Sequence, residues 1–263
     1  MPEKPIYSQR LVVKYTRGAK EETFDMVVDE MPLTIFLNDL ELATLVCSPY
    51  AFEELAVGFL VSEGLLHSTD EIREMYCREE QGVMWVETSS EVPQLDNFLR
   101  RNFASCCGKG RPSLYFVNDR DQLHPIESEV QYTARQLMDL SSRLERESEV
   151  FKLTGGVHSA ALADTDSFFI SYSDIGRHNA LDRVLGYSFI HQVDPRNKAV
   201  LLSGRIASEM LIKTVRIGAP LIISRSAPTG LAVDLAEENG VTLVGFVRGE
   251  RLTVYSHPER VIF

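Results

Sequence analysis

A chain of 263 residues with 44% hydrophobic and 25% charged residues has the makeup of an ordinary water-soluble globular protein, with room for one large core or two smaller ones. Its net charge of −11 excludes a general nucleic-acid binder, whose affinity comes from neutralising phosphates with Lys and Arg, but allows a local basic pocket for one small anion. No apolar signal core opens the chain, no apolar run nears the length of a membrane span, and four cysteines without framework spacing suit a reducing compartment. A cytoplasmic location with no membrane contact is therefore expected.

The first hundred or so residues read as strands with a few helices. Leu33 to Leu37 and Leu42 to Val46 flank Asn38-Asp39, the pattern of a hairpin with a tight turn. Ser48-Pro49 offers a cap and a first-turn proline for a helix through Phe52 to Leu60, with Leu55, Phe59 and Leu60 on its buried face and Gly64 as its stop. Met84-Trp85-Val86 reads as a strand and Leu95 to Arg101 as a short helix. Thr133 to Glu149 is a polar helix with Leu137, Leu140 and Leu144 on one face.

From Val157 onward the pattern becomes layered α/β structure. Strands are expected at Ser167 to Tyr172, Ala199 to Leu202, Leu221 to Ile223, Thr242 to Val247 and Leu252 to Tyr255. Helices are expected at Asn179 to Ile190, at Ala207 to Arg216 closed by Gly218, and at Pro228 to Glu238 closed by Gly240. A boundary between halves is expected near residues 120–135.

Cys106 and Cys107 are adjacent, in the loop Ala104-Ser-Cys-Cys-Gly-Lys-Gly-Arg111. Lys109 and Arg111 favour the thiolate form, and Gly108 and Gly110 widen the backbone conformations open to the loop. That composition fits a reactive thiol on an adaptable arm, and it equally fits two small hydrophobes filling a turn. A disulfide between neighbours is strained, because their Cα atoms stand ~3.8 Å apart where about 4.4–6.8 Å is preferred. Zinc sites space their cysteines by two to four residues, and Cys47 and Cys77 are isolated, so structural zinc is not expected.

Polar groups gather where strands end, the place where open α/β sheets bind ligands. Asp174-Ile-Gly-Arg-His-Asn179 leaves one strand and enters a helix. Ser203-Gly-Arg205 and Ser224-Arg-Ser-Ala-Pro-Thr229 do the same after later strands, and Thr154-Gly-Gly-Val-His158 precedes a strand. Three strand ends thus each carry an arginine, Arg177, Arg205 or Arg225, beside hydroxyls or glycine, which suits bidentate recognition of phosphate. Simpler roles stand beside this one. Ser203 and Ser226 fit plain helix caps, His178 a structural histidine, and Asp174 with Arg177 a mere salt bridge.

These segments resemble the FdhD family of formate dehydrogenase accessory sulfurtransferases. The resemblance is carried by Thr154-Gly-Gly-Val-His-Ser-Ala-Ala-Leu162, Asp174-Ile-Gly-Arg-His-Asn-Ala-Leu-Asp182, Ser203-Gly-Arg205, Ser224-Arg-Ser-Ala-Pro-Thr229 and Thr242-Leu-Val-Gly-Phe-Val-Arg248. Asn38 and Leu55-Ala-Val-Gly-Phe-Leu-Val-Ser-Glu-Gly64 extend it into the first half, so that it runs from about residue 30 to the end.

The resemblance implies an α/β fold with two domains. Residues 1–125 would form a smaller, strand-rich α+β domain ending in the cysteine loop, and residues 126–263 a cytidine-deaminase-like three-layer α/β domain. It also implies a homodimer acting as a sulfur carrier. Such a protein accepts sulfur as a cysteine persulfide from a cysteine desulfurase. It passes the sulfur to the molybdenum cofactor, in its bis-molybdopterin guanine dinucleotide form, before that cofactor enters formate dehydrogenase. The implied cofactor-contacting segment is Phe246-Val247-Arg248-Gly249-Glu250-Arg251, joined at the strand ends by Arg177, His178, Ser203, Arg205, Ser224 and Arg225.

One departure stands out. Many members of the family carry Cys-x-x-Cys-Gly-Lys, whereas this chain has Cys106-Cys107-Gly108-Lys109. Alignment on Gly108-Lys109 favours Cys107 as the carrier, with Cys106 as the second thiol and Lys109 steadying the anion. Two rivals remain. A zinc-dependent nucleobase deaminase needs His-x-Glu and Pro-Cys-x-x-Cys elements, and neither occurs, since His124-Pro-Ile-Glu127 has the wrong spacing. A non-catalytic chaperone that binds the molybdenum cofactor and delivers it needs no thiol at all.

Overall fold

The computed structural model describes residues 5–89 and 123–263. The cysteine loop at 104–111 and the helix expected at Leu95 to Arg101 lie outside the described residues.

The chain opens on a two-stranded ribbon, β1 (Tyr7–Thr16) and β2 (Ala19–Val28), that hydrogen-bonds to no other described sheet. A four-stranded sheet follows in the order β4-β3-β6-β5, built from β3 (Met31–Leu37), β4 (Leu40–Cys47), β5 (Ile72–Arg78) and β6 (Val83–Thr88). The expected β3–β4 hairpin is present. Asn38 takes the left-handed φ of 51° in its turn, and its Oδ1 accepts the Thr88 N–H at 2.8 Å, tying the turn to β6.

The rest is a six-stranded sheet in the order β13-β12-β11-β10-β8-β9. Its strands are β8 (His158–Ala163), β9 (Phe168–Asp174), β10 (Ala199–Leu202), β11 (Leu221–Ser224), β12 (Thr242–Arg248) and β13 (Arg251–Val254). Between Leu40–Cys47 and Ile72–Arg78 runs α1 (Phe52–Ser62). A short strand β7 (Tyr132–Thr133) leads into α2 (Ala134–Glu147) and α3 (Glu149–Thr154), and the later helices are α4 (Arg177–Ile190), α5 (Ser208–Ile217) and α6 (Gly230–Glu238). A final β14 (Val261–Ile262) pairs with β7.

The inner strands of the sheet are buried on both faces, which is why β8, β10, β11 and β12 are largely apolar runs. Ala161, Ala163, Ala199, Leu201, Leu221, Ile223 and Val244 pack against Leu137, Leu140 and Leu144 of α2. The expected apolar stripe of that helix therefore faces the sheet, and Thr133 caps it with a reciprocal Gln136 contact. The other face, with Leu162, Val200, Leu202, Ile222 and Leu243, joins α4, α5 and α6. The same apolar cluster continues without a break into α1 and the four-stranded sheet, through Leu55, Leu60, Leu33, Ile35 and Val86.

Helices α1 and α4 meet glycine to glycine. A Cβ on Gly58 would stand 1.8 Å from the Asp182 carbonyl oxygen, and one on Gly186 would stand 1.9 Å from that of Glu54. Backbone lies against backbone here, so no rotamer change relieves a methyl group. A mid-helix glycine costs roughly 1 kcal/mol relative to alanine in propensity, and close packing is what Gly58 and Gly186 supply in return.

Next to that crossing lies a buried ion pair between Asp174 and Arg183, both side chains 0% exposed. Asp174 Oδ2 accepts the Ser48 N–H at 2.9 Å, and Oδ1 accepts the Gly176 N–H at 2.7 Å and Asn179 Nδ2 at 2.9 Å. Arg183 donates to the carbonyls of Ser48 and Tyr50, both at 2.9 Å, and sits 4.6 Å from the Tyr50 ring centre. Asn179 also donates to the Val46 carbonyl. Burial pulls the Arg183 pKa down, but Asp174, Tyr50 and Cys47 together outweigh it, so the guanidinium stays firmly charged.

This corrects two sequence expectations. Asp174 pairs with Arg183 rather than Arg177, and Ser48 does not cap α1. The helix starts from Ala51 in a left-handed conformation with no side-chain cap. Ser48 instead donates its N–H to Asp174 and accepts the Ile175 N–H on its hydroxyl oxygen, because a buried carboxylate needs donors and a strand end needs acceptors there.

Two outcomes follow for stability. Gly58→Ala or Gly186→Ala should cost at least about 3 kcal/mol in denaturant unfolding, the upper end of overpacking, since no side chain can yield. Arg183→Met should cost about 3–5 kcal/mol because it strands a buried carboxylate. Loss of under 1 kcal/mol in the same measurement would contradict either account.

Candidate functional site

Four strands run the same way. β9 and β10 both oppose β8, and β11 and β12 continue parallel to β10. The carboxyl ends of β9, β10, β11 and β12 therefore share one sheet edge with the start of β8. That edge carries His158, Asp174 to His178, Ser203-Gly204-Arg205, Ser224-Arg225-Ser226 and Arg248.

A cavity of about 330 Å³ opens there, lined in part by Gly155, Gly156, His158, Ser159, Ser203, Arg225 and Glu145. Ser203 stands at its centre. Its Oγ accepts the Ser159 N–H at 2.9 Å and lies 3.5 Å from His158 Nδ1. Gly204 leaves room beside it, because a Cβ at that position would stand 3.5 Å from both His158 Nδ1 and Arg177 Cδ. Ser159 continues into a triangle of hydroxyls with Ser148 and Ser173, at 3.0–3.2 Å.

The expected helix caps are elsewhere. Helix α5 starts from Ala207 without a side-chain cap, and α6 is capped by Thr229. Ser203 and Ser226 are thus free of that duty. Ser224 shapes the loop after β11, with its hydroxyl donating to the Gly204 carbonyl at 2.6 Å and accepting the Ser226 N–H at 3.0 Å. Arg225, the next residue, forms an ion pair with Glu145 of α2, and its carbonyl accepts Arg248 Nε at 2.7 Å.

Arg177 and His178 open α4, whose N-cap Gly176 offers no side-chain cap. The Nε of Arg177 is buried, with no hydrogen-bond partner among the described residues. A buried guanidinium nitrogen without a partner, beside uncapped helix N–H groups, is arranged for an anion. His178 Nε2 lies 2.7 Å from Glu209 Oε2, a close contact poorly aligned for a hydrogen bond. Burial lowers the His178 pKa and Glu209 opposes it only in part. The His158 pKa is lowered by burial and then by Arg177. Both imidazoles are therefore neutral at pH 7, able to donate from one nitrogen and accept at the other.

The segment after β12 is only partly joined to the cavity. Phe246 is exposed, with φ 51°, and its N–H donates to the Ser226 carbonyl at 3.1 Å. Val247 buries its side chain against α2, and Gly249 makes the tight turn to β13 with φ 57°. Glu250 and Arg251 are exposed, as is Arg205. Arg248 alone of this segment reaches the cavity's wall, through the Arg225 carbonyl.

Sequence reading missed Glu145, Ser148 and Ser159 at this site. Glu145 looked like one more charge on a solvated helix face. Ser159 had a signal in its place directly after His158, as the second residue of a strand. Among the described residues, no group of three or more His, Cys, Asp or Glu stands close enough to hold a metal ion. Cys106, Cys107 and Lys109 lie outside the described residues. The two described cysteines are poor nucleophiles. Burial pushes the Cys47 thiol up to about 12 against the pull of Arg183. Cys77 is pushed up to about 11 by burial and then by Glu79 and Glu53.

Known proteins share these features over nearly the whole chain. The family model described as FdhD/NarQ matches residues 28–262. A Bacillus pumilus protein named sulfur carrier protein FdhD is 43% identical over 97% of this chain and 98% of its own. One of the same name from Staphylococcus haemolyticus is 40% identical over 98% of both. A solved structure from Desulfotalea psychrophila, provisionally described as a formate dehydrogenase accessory protein, superposes with a TM-score of 0.80 at 28% identity, covering 98% of this chain and 100% of that one. With motif, fold and relatives in agreement, this chain belongs to the FdhD/NarQ family.

Proposed function

We propose that this protein is a sulfur carrier for formate dehydrogenase, a sulfurtransferase whose loop thiols carry the sulfur and whose sheet-edge cavity holds the receiving cofactor. The observation that supports it best is the gathering of His158, Ser203 and Arg225 on one cavity, beside Arg177, whose buried Nε has no hydrogen-bond partner among the described residues. The relatives named as sulfur carriers support the sulfur-carrying role.

The client is the molybdenum cofactor in its bis-molybdopterin guanine dinucleotide form, handled as substrate. Its pyrophosphates suit Arg177 and Arg225, with Arg248 on the outer rim. The cysteine loop lies in the half of the sequence before the cavity residues. The division at residues 125 and 126 and the cytidine-deaminase-like reading of the second half belong to this proposal, as do the homodimer and the cytoplasmic location. The three layers of α2, sheet and α4 to α6 support the fold reading.

In the first step the Cys107 thiolate attacks the outer sulfur of a persulfide on a cysteine desulfurase. The donor's S–S bond breaks as the new one forms, and the donor cysteine leaves as thiolate. Lys109 and Arg111 steady the anion on this side. In the second step the outer sulfur passes to an acceptor that supplies the two electrons making it sulfide, and Cys107 returns as thiolate. Cys106 shields or assists that release. Cys47 and Cys77 cannot substitute, since thiols with pKa values near 11–12 are thiolate in about one part per thousand or less at pH 8.

Two measurements test this. With the native protein at about pH 8, iodoacetamide followed by peptide mass spectrometry should label Cys106 or Cys107 and spare Cys47 and Cys77. Preferential labelling of Cys47 would contradict the assignment. In a strain lacking the endogenous protein, Cys106→Ala/Cys107→Ala should abolish formate dehydrogenase maturation while GDP still binds the purified variant. Intact maturation with the double variant would instead identify a cofactor chaperone that needs no thiol.

A further inference from the structure

Glu145 is the one carboxylate on the cavity wall among the described residues, and it already has a partner. It projects from the last turns of α2 beside Leu144, whose side chain is buried against the sheet, so the position of Glu145 is set by the core beneath it. Its partner Arg225 is held from behind. Ser224 and Ser226 lock the loop, and Arg248 grips the Arg225 carbonyl. The loop that carries the guanidinium is therefore held, and the Glu145 carboxylate occupies that guanidinium.

We infer that Glu145 is a specificity-determining residue, a carboxylate that occupies Arg225 until a ligand anion replaces it. The inference rests on reading this cavity as the seat of a nucleotide pyrophosphate. The two side chains are 30% and 47% exposed, and a pair this open is worth little, so a doubly charged diphosphate displaces it readily. A neutral ligand gains nothing by entering, because it cannot replace the carboxylate on Arg225. Glu145 thereby weakens every anion that engages Arg225 by one constant factor and leaves uncharged ligands untouched. It also returns Arg225 to a satisfied state when the anion departs, which favours release of a delivered cargo.

Titration calorimetry with GDP, inorganic pyrophosphate and guanosine tests the assignment on the full chain. Glu145→Gln should tighten GDP and pyrophosphate by about two- to fivefold, the range an exposed pair allows. Guanosine binding should not change. Arg225→Ala should weaken both anions, and in that background Glu145→Gln should have no further effect. Matching thermal melts of the variants would show that both remain folded. If GDP binds and Arg225→Ala weakens it, yet Glu145→Gln leaves GDP unchanged or improves guanosine equally, the role of Glu145 is overturned and the nucleotide reading stands. If wild type and Glu145→Gln both fail to bind GDP or pyrophosphate, the nucleotide reading itself falls, and this inference with it.

Discussion

The rest of the structure depends on the buried pair of Asp174 and Arg183. Neither charge would survive alone at zero exposure, and together they still need every remaining lone pair and N–H occupied. The chain meets that demand with backbone from two distant places. Ser48 and Tyr50 come from the end of β4, and Gly176 and Asn179 from the start of α4. The glycine-to-glycine crossing of α1 and α4 brings those backbones close enough. A second buried pair, Lys213 with Asp182, ties α5 to the same helix.

This arrangement explains why one short motif serves two purposes. Along α4, Asn179, Arg183 and Gly186 fall on a single face by helical spacing, and that face is turned to the first half of the chain. Arg177 and His178 precede it in the first turn and lie at the sheet edge beside Gly204 and Glu209. Because Asp174 fixes Gly176 and Asn179, it fixes the start of the helix and so the aim of Arg177. The carboxylate acts on Arg177 through the helix start it holds. A buried pair of this kind is weak evidence for stability as such. Here it specifies how a strand end, a helix start and a distant turn meet.

The main elements were legible in the sequence because their signals are local. Continuous apolar runs marked β10, β11 and β12, the Leu137, Leu140 and Leu144 stripe marked α2, and Gly218 marked the end of α5. The strand-end arginines and serines were legible for the same reason, since each stands next to its strand. What escaped were pairings across long separations. Nothing near Asp174 chooses Arg183 over Arg177, and Ser48 lies 126 residues from the carboxylate it serves. Gly58 reads as a flaw in a helix until its neighbour Gly186 is known. Glu145 reads as solvated charge until β11 brings Arg225 beside α2. The β1–β2 ribbon escaped as well, since its apolar Leu11, Val13, Tyr15 and Phe24 are exposed and cover no core.

The central claim is that sulfur travels on the loop thiols of this chain. The most direct test is intact-protein and peptide mass spectrometry after incubation with a cysteine desulfurase and cysteine, comparing wild type with Cys106→Ala and Cys107→Ala. The account predicts one added sulfur on wild type, located on the Cys106–Cys107 peptide and lost in Cys107→Ala. An added sulfur that persists when both loop cysteines are replaced, or none on wild type, would contradict it.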